Sequence, residues 1–522
     1  MGRSAGFRLP FLALLALVAC ACGANEPDPE RAVPKPGQRP PPDDDGEPWK
    51  REPTPPSLVF GISQILRRGE RAHIPFRVVG FTGPVRVTFS ISPDVGQVTA
   101  PAPTTTDGEI VIDVPKGAPL GSFAATAIAE DGAGHVASAG RMYLSVRPPI
   151  GTIDRTFANA GRLVVPGVPL TGINQLYGCS PMFFLVGGAS SGAIVAAAFE
   201  RKDGKLISTF GPSGTGLVTI PHDAGDGPVT IRYGAGNGTI YLAGGSSSFV
   251  LARVSSKGVP LGVGTASLRD ESTVSSVVVS GMDSAVVCGT TKSTAANDAA
   301  FGCAAFAGNT LDPTFGTDGT WIADEAATST GHERLVSASA TDGLTIDGVA
   351  ANASGIRERV TAVPGLDGKG TTTKITAMPS DAVDLLGFAY GGTTGGMRPR
   401  SCFFTVYSTA QSFRLASDSC APASGTAIAP PPVGLTSLEL VAISGRTIAG
   451  SAIATDGRRR GVLAHMNGWD EQAADASKTT WMTTDGVSDD ERFVAAFDEY
   501  ESEWVYGVGS SNGDGLVMRF WR

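Results

Sequence analysis

A short motif returns along the chain at a spacing of about 53 residues. The three clearest copies begin at Ile153, Leu206 and Leu311, and the last of them reads Leu-Asp-Pro-Thr-Phe-Gly-Thr-Asp-Gly. The interval between the second and third copies equals two periods. A fixed period of this length is typical of an array in which every repeat folds into one supersecondary unit. The repeat therefore predicts a series of similar units stacked against one another.

Each repeat contains four short apolar segments separated by turns. In the clearest repeat they are 217–220, 229–233, 239–245 and 249–254. The third segment ends in Gly and recurs seven times, at 184–187, 242–244, 286–289, 345–348, 388–391, 447–450 and 505–507. The fourth also recurs seven times and ends the chain as 516–521. Seven units of four antiparallel strands predict an all-β fold with a seven-bladed β-propeller over 150–522. An open β-solenoid is the alternative at this repeat length.

The phrase at 311–319 resembles the delta-sixty repeat, which occurs in exported bacterial proteins with propeller-like domains. The copies at 206–214 and 153–161 match it well. The other four copies are eroded and are inferred from strand spacing near Val259, Leu366, Leu415 and Trp469. That family has no single assigned chemistry, so the resemblance implies a shape and leaves the activity open.

Residues 58–148 have a different pattern, with six or seven short alternating segments in about 90 residues. This spacing predicts an antiparallel β-sandwich. The phrases at 80–85 and 115–123 resemble those of bacterial immunoglobulin-like modules. The resemblance implies an immunoglobulin-like domain and no catalytic residue.

The N-terminus reads as a secretory signal. Arg3 and Arg8 precede the apolar run 11–19, which is too short to span a bilayer. Leu-Val-Ala-Cys at 17–20 resembles a bacterial lipobox, which implies removal of residues 1–19 and acylation of Cys20, as with palmitate. Ala21 after the Cys implies sorting to the outer membrane where a cell has two membranes. The alternative is ordinary cleavage that leaves Cys20 as a free thiol.

A proline-rich segment follows the lipobox. The stretch from Pro27 to Pro56 contains eleven prolines, an acidic run at 43–45 and almost no aliphatic residues. Such a composition cannot bury enough apolar surface to fold. We expect residues 20–57 to form a disordered tether that begins at the lipidated Cys20. The lipid is the expected contact with the membrane.

The cysteines of an exported chain predict disulfides. Cys288 and Cys303 lie on consecutive predicted strands joined by a polar hairpin, and Cys402 and Cys420 bracket another strand and its loop. We predict both pairs as bridges. The partners of the remaining Cys22 and Cys179 stay open.

The composition argues against several classes of function. A net charge of −9 argues against nucleic acid or anionic lipid as the main partner. None of the five histidines has metal-ligand spacing, and Gly-x-Ser-x-Gly at 188–192 falls between two strands rather than before a helix. We expect no cofactor and assign no catalytic residue. A metal site is left undecided.

One cluster of charge is a candidate site. The loop between the first and second segments is acidic in four repeats, at Asp223, Asp226, Asp270, Glu271, Asp324, Glu325, Glu333, Asp485, Asp489 and Asp490. Strand parity predicts that these loops gather on one propeller face, where they would bind a cation or a basic partner. The basic hairpins 398–400 and 458–460 are expected on the same face. The alternative is charge that merely solvates exposed loops.

These patterns predict a monomeric outer-membrane lipoprotein with a non-enzymatic role. One propeller face would serve as a binding or scaffold platform for a protein or a glycan. An alternative is a propeller hydrolase or lyase with axial carboxylates and His332 or His222. A second alternative is a structural or secretion-associated repeat protein without a ligand.

Overall fold

Every regular element of the described chain is a β-strand, which confirms the all-β prediction. The computed structural model describes residues 55–522 except 61–63, 93–94, 176–180, 190, 223–227, 235–237, 282, 295–297, 324–333, 341–343, 352–355, 365–367, 370, 392–401, 418–427, 431, 470–473 and 499–502. Within these ranges no helix has the length and apolarity needed to cross a bilayer. The predicted signal peptide, Cys20 and most of the tether lie outside them.

The first eight strands form two four-stranded sheets, ordered β1-β3-β6-β5 and β2-β8-β7-β4. These strands are β1 (Ser57–Phe60), β2 (Gln64–Arg67), β3 (Arg71–Val79), β4 (Val85–Ser92), β5 (Gln97–Thr99), β6 (Asp107–Asp113), β7 (Gly121–Asp131) and β8 (Val136–Arg147). Alternate residues of β3, such as Ile74, Phe76 and Val78, are buried in one apolar core that both sheets share. The period-two pattern of the sequence therefore decides which side of each strand is buried.

The described residues after 148 form seven further sheets, here numbered 1 to 7. The strands of the first half are β9 (Arg162–Val165), β10 (Leu170–Gln175), β11 (Met182–Gly188), β12 (Ile194–Glu200), β13 (Leu217–Ile220), β14 (Thr230–Gly234), β15 (Thr239–Gly244), β16 (Phe249–Ser255), β17 (Pro260–Ala266), β18 (Glu271–Val279), β19 (Ser284–Ser293), β20 (Asp298–Ala307), β21 (Thr310–Leu311) and β22 (Thr320–Ile322). Sheet 1 contains β10–β13, sheet 2 contains β14–β17, and sheet 3 contains β18–β22.

Four sheets follow in the second half. Their strands are β23 (Arg334–Ala340), β24 (Leu344–Ala351), β25 (Arg357–Pro364), β26 (Thr371–Ala377), β27 (Ala382–Gly391), β28 (Cys402–Thr409), β29 (Phe413–Ser417), β30 (Leu435–Ser444), β31 (Thr447–Ala454), β32 (Arg459–Trp469), β33 (Ala474–Thr483), β34 (Glu491–Asp498), β35 (Trp504–Ser511) and β36 (Asp514–Trp521). Sheets 4, 5 and 6 contain β23–β26, β27–β29 and β30–β33. Sheet 7 contains β34–β36 and, at its outer edge, β9.

The seven sheets are arranged in a ring. The innermost strands β10, β14, β18, β23, β27, β30 and β34 each contact the innermost strand of the next sheet, and β34 contacts β10. Buried apolar side chains fill the space between neighbouring sheets, as where Phe184 of sheet 1 and Ile231 of sheet 2 share a cluster. The ring is therefore closed by packing between its first and last sheets.

Closure also uses the backbone, because β9 from the start of the ring pairs with β36 from its end, with Val517 opposite Leu163. This corrects the order of strands within each sheet that was predicted from the sequence. The segment 516–521 is the third strand of its sheet rather than the fourth, and 217–220 is the outer strand of sheet 1 rather than the first strand of the next unit. The junction of β9 with β36 is here called the seam. Pairing the two ends of the array there gives sheet 7 its outer strand.

Two buried ion pairs lie at this seam. Arg162 on β9 contacts Glu491 and Asp485, each at 2.5 Å, and the Glu491 side chain is fully buried. Arg519 on β36 contacts Asp154 at 2.7 Å, and both side chains are 1% exposed. The seam is thus held by charged groups that water hardly reaches.

The N-terminal sheets contact sheet 7. The Arg147 guanidinium contacts Glu503 at 2.9 Å and lies 5.5 Å from the centre of a Trp521 ring. Arg67 donates a hydrogen bond to the Pro148 carbonyl at 3.1 Å and another to the Arg522 carbonyl. These contacts place the N-terminal sheets beside the seam.

The repeated motif is the connection from the third to the outer strand. In sheets 7, 1 and 3 the first residue of the motif pairs with the end of the third strand, as in Ile153↔Phe520, Phe199↔Leu206 and Phe306↔Leu311. The motif phenylalanines Phe157, Phe210 and Phe315 are all buried. Their rings fix the outer strand of each sheet against the core, so the motif has a structural role.

Each motif loop also touches the next sheet at a glycine. Gly204, Gly258 and Gly368 have φ values of 70°, 79° and 68°. A Cβ at Gly204 would lie 2.6 Å from Phe157, and one at Gly258 would lie 2.2 Å from the Gly211 nitrogen. Only a residue without a side chain permits both this backbone conformation and this approach.

One eroded motif copy and one member of the Gly-ended third-segment series were misplaced along the chain. Leu415 lies inside β29, opposite Val406, and not in a connection between strands. The segment 388–391 belongs to β27, the innermost strand of sheet 5, rather than to a second strand. An apolar run that ends in Gly does not distinguish these positions, because both strands are buried.

The predicted bridge between Cys288 and Cys303 is confirmed. The two residues are directly opposite on β19 and β20, and both are fully buried. Cys402 begins β28, but Cys420 lies outside the described residues, so that bridge stays a prediction. Cys22 and Cys179 lie outside them as well.

His465 on β32 makes stability depend on pH. It is 2% exposed, and its Nδ1 is hydrogen-bonded to the Thr447 hydroxyl at 2.8 Å. Burial lowers the pKa of His465 to about 4. The unfolded chain binds this proton near pH 6.5 and the folded chain does not, so lowering the pH from about 6.5 to 4 should remove up to about 3 kcal/mol of stability.

We expect His465→Gln to flatten this part of the pH profile. The measurement is urea unfolding of the full chain and the variant at pH 7, 5.5 and 4.5, with the free energy of unfolding compared at each pH. Equal slopes against pH for both proteins would contradict the assignment to His465.

Candidate functional site

A cavity of about 1010 Å³ lies where the seven innermost strands meet. Its wall contains residues of β10, β14, β18, β23, β27, β30 and β34. A volume of this size is at the upper end of the range for small-molecule sites in proteins. The axis of the ring is therefore an open space bounded by every sheet.

Bulges shape the wall of this axial cavity. Six of the seven innermost strands contain an extra residue opposite the second strand, and all six line the cavity: Thr171, Ser275, Val336, Leu386, Val441 and Val494. The residue before each bulge is buried and apolar. A bulge redirects the side chains that follow it. The extra residue of each of these six strands thus forms part of the cavity wall.

Two bulge hydroxyls also join neighbouring sheets. The Thr171 hydroxyl donates to the Val229 carbonyl at 2.6 Å, and the Ser275 hydroxyl donates to the Leu335 carbonyl at 2.9 Å. The acceptors lie at the innermost strand of the next sheet in both cases. These bonds fix the position of one wall strand relative to the next.

The charged side chains of the described wall are mostly basic. They are Arg232, Arg334, Arg359 and Asp347. Three guanidiniums and one carboxylate give this wall a positive balance, whereas the whole chain has a net charge of −9. The described wall therefore has a positive balance, which Asp384 reduces from beside the wall through its contact with Arg334 at 2.7 Å.

Arg359 is held rigidly. Its guanidinium contacts Asp347 at 3.2 Å, donates to the Thr405 hydroxyl at 2.7 Å and lies 4.6 Å from the centre of the Phe388 ring. Asp347 in turn accepts a hydrogen bond from the Thr361 hydroxyl at 2.6 Å. Since sheets 4 and 5 both contribute to this cluster, Arg359 is oriented before any ligand arrives.

Arg334 connects the axial cavity to a side pocket of about 520 Å³ that Arg357 and Asp384 also line. Its Nη2 lies 2.7 Å from the Asp384 carboxylate, and half of its side-chain surface is exposed. Arg232 is exposed on β14 and has no ion pair or hydrogen bond within the described residues. The three arginines thus differ, and Arg232 is the one whose donors are uncommitted.

Chemically, this wall suits binding. Guanidinium groups donate hydrogen bonds to carboxylates, and the Ser and Thr hydroxyls of the wall accept or donate. Among the described wall residues the one carboxylate is Asp347, already engaged, and histidine is absent. The described residues contain no group of three or more His, Cys, Asp or Glu able to hold a metal ion.

Five acidic residues of the predicted site are described, and each has a partner in this chain. Asp270 accepts hydrogen bonds from the Thr294 amide and hydroxyl, which lower the pKa of its carboxyl, and Glu271 contacts Lys292 at 3.6 Å. Asp485 contacts Arg162 as described above. The remaining two face the basic hairpin, in the contacts Asp489–Arg458 at 3.0 Å and Asp490–Arg459 at 3.5 Å.

The other five acidic residues lie outside the described part of the chain: Asp223, Asp226, Asp324, Glu325 and Glu333. The basic hairpin 398–400 and His332 also lie outside it. His222 is described and does not line the axial cavity. The acidic face therefore stays a prediction. Four of the five described acidic residues contact an arginine or a lysine, and Asp270 is hydrogen-bonded to Thr294.

The axial arginines were missed from the sequence. Each lies in a different structural position, on β14, β23 and β25, and none repeats with the period. The bulges did leave a signal, since a buried apolar residue, one variable residue and then Gly, Ser or Ala recur at 170–172, 274–276, 335–337, 385–387, 440–442 and 493–495. That pattern locates the wall but not its charge.

Comparisons with known proteins leave the function open. No protein-family model and no curated protein matches the chain. Among solved structures, YCF48 bound to D1 peptide is similar over 72% of this chain and 97% of that chain, at 10% identity and a TM-score of 0.39. Sqt1 from Chaetomium thermophilum is similar over 77% and 90%, at 12% identity and a TM-score of 0.37.

A mutant of the Synechocystis apocarotenoid oxygenase is similar over 77% of this chain and 92% of that chain, at 11% identity and a TM-score of 0.33. These three neighbours are β-propellers, and the present chain is all-β. At such scores the likeness carries no information about the axial cavity.

Proposed function

We propose that this chain is a cell-envelope lipoprotein whose ring is a seven-bladed β-propeller that binds a partner at its axis. The lipid on Cys20, the tether of 20–57 and an immunoglobulin-like sandwich over 58–148 would hold the propeller away from the outer membrane. The role is that of a binding platform without chemistry of its own. Fatty-acid labelling that persists in Cys20→Ser would contradict the anchor.

One observation carries the binding role: a single cavity touches the innermost strand of all seven sheets. Most of the apolar clusters of the ring lie between sheets rather than at the axis, so core packing does not fill the axial space. The wall adds donors of hydrogen bonds to apolar surface, which is the usual composition of a binding site. The axial cavity supports a partner better than the acidic loops do, because the described acidic residues already have partners.

Blocking the axial cavity should abolish capture of the partner. Ser339 lines the cavity and is exposed, so Ser339→Trp fills the space without disturbing a buried contact. Thr372→Trp on the exposed strand β26 adds the same bulk at the outer edge of the ring. The measurement is affinity capture from envelope extracts with immobilised full chain and each variant.

We expect proteins retained by the wild type and by Thr372→Trp to be lost with Ser339→Trp. An identical set of captured proteins for all three would contradict binding at the axis. A third variant, in which Asp270, Glu271 and Asp489 are replaced by their amides, separates this outcome from binding through the acidic loops. If only that variant fails to capture the partner, the binding site lies at the acidic loops on the face of the ring and not at the axis.

A further inference from the structure

The axial cavity is positively charged inside an acidic protein. Arg232, Arg334 and Arg359 reach it from sheets 2 and 4. Asp347 contacts Arg359 and Asp384 contacts Arg334, so the described residues leave Arg232 as the uncompensated charge. Concave walls of low dielectric concentrate the field of such groups and raise the local concentration of anions. A solvent-exposed guanidinium without a protein partner adds little to the free energy of the fold. Its N–H groups can donate hydrogen bonds to an anion that enters the cavity.

We propose that the axial cavity recognises an acidic peptide segment, with Arg232 binding a carboxylate of the peptide and Arg359 and Arg334 setting the charge around it. This rests on the proposed function at the axis and adds the chemical class of the partner. Arg232 supplies the donors because it has no partner within the described residues. Guanidinium–carboxylate pairs bind through two parallel hydrogen bonds, which favour a planar carboxylate.

The wall favours a peptide over a sugar. Both aromatic rings in the described wall are already engaged: Phe388 lies under Arg359, and Phe497 meets the Phe183 ring edge at 5.2 Å. Each aromatic ring of the described wall is thus already in contact with another side chain. The remaining wall consists of aliphatic side chains and hydroxyls, such as Ile173, Ile443 and Ser337.

Aliphatic side chains and hydroxyls suit the parts of an extended peptide. The aliphatic residues accept apolar side chains, while hydroxyls and bulged backbone bind peptide amides and carbonyls. The arginines add selectivity for acidic residues, since an amide analogue would leave a guanidinium without a charged partner. The expected ligand is therefore a peptide in which Glu or Asp alternates with aliphatic residues.

The test uses the full chain and three fluorescent probes. The first is a ten-residue peptide that alternates Glu with Leu and Ser, the second is its Gln analogue, and the third is a labelled oligogalacturonate. Fluorescence anisotropy gives the Kd of each at low and moderate salt. We expect the acidic peptide to bind at least tenfold more tightly than the Gln analogue and more tightly than the oligogalacturonate, and to weaken as salt rises.

Arg232→Gln should weaken the acidic peptide at least tenfold and leave the Gln analogue unchanged. Arg86→Gln is the matched control, because Arg86 is exposed on β4, outside the ring, and the change in net charge is the same. Equal effects of the two variants, equal Kd values for the two peptides, tighter binding of the oligogalacturonate, or no binding of the acidic peptide would each overturn the proposal. If both peptides bind equally and Ser339→Trp abolishes both, the site at the axis stands and its charge selectivity is wrong.

Discussion

Replacing Arg162 by Met is expected to destabilise the ring by roughly 3–5 kcal/mol, the usual cost of leaving one partner of a buried ion pair alone. Arg162 is 9% exposed, and its partner Glu491 is fully buried. Without the guanidinium, Glu491 keeps a hydrogen bond from the Ser488 amide at 3.3 Å and loses its cation. The loss of stability is therefore expected at the seam, where β9 pairs with the last sheet.

The measurement is chemical denaturation of the full chain. Arg492→Gln is the control: Arg492 contacts Asp490 at 3.0 Å with both side chains about half exposed, so its loss should cost about 1 kcal/mol or less. Adding Glu491→Leu to Arg162→Met removes both charges and should recover most of the lost stability. A single variant no less stable than the control would show that the pair does not hold the seam.

Replacing Phe210 by Ala is expected to cost about 3–5 kcal/mol, the range for removing a buried aromatic side chain. Phe210 is 1% exposed, and its ring centre lies 5.6 Å from that of Phe184. It shares one apolar cluster with residues of sheets 1 and 2. The cavity left behind would lie between sheets 1 and 2, where a backbone hydrogen bond from the Gly211 amide to the Lys257 carbonyl at 3.0 Å fixes the two loops and limits relaxation.

Thermal and urea unfolding measure this loss, with Leu261→Ala as the control. Leu261 on β17 is 42% exposed, so its truncation should cost well under about 1 kcal/mol. Similar losses for Phe210→Ala and Leu261→Ala would contradict a structural role for the motif. Phe315→Ala should behave like Phe210→Ala, because its ring occupies the equivalent position in sheet 3.

The sequence predicted the positions of the strands along the chain better than it predicted which sheet each strand joins and in which order. Turn glycines and alternating apolar residues are local signals, and they located three strands of sheet 2 and the outer strand of sheet 1. Which strand is innermost depends on contacts between sheets, which no local pattern encodes. The misplaced segment 388–391 shows this: it is as apolar as a second strand, yet it belongs to the innermost strand β27, whose Phe388 lines the axial cavity.

The axial site was harder to predict than the fold for a similar reason. Arg232, Arg334 and Arg359 are separated by about 100 and 25 residues and meet only because the ring closes. Acidic residues, in contrast, cluster visibly in the sequence at 485–490, and the structure pairs the described ones with Arg162, Arg458 and Arg459. A local density of charge is therefore a poor guide to charge that is free to bind.

The pairing of β9 with β36 also sets a minimum time between the synthesis of the first strand and the closure of the ring. Leu163 faces Val517, so the ribosome adds about 350 residues after one strand before its partner exists. At roughly 5–20 residues per second this takes about 20 to 70 s, during which sheets 1 to 6 can form one after another. Throughout that interval β9 is an unpaired edge, open to pairing with another nascent chain. The synthesis of β36 thus decides when the ring can become a closed particle.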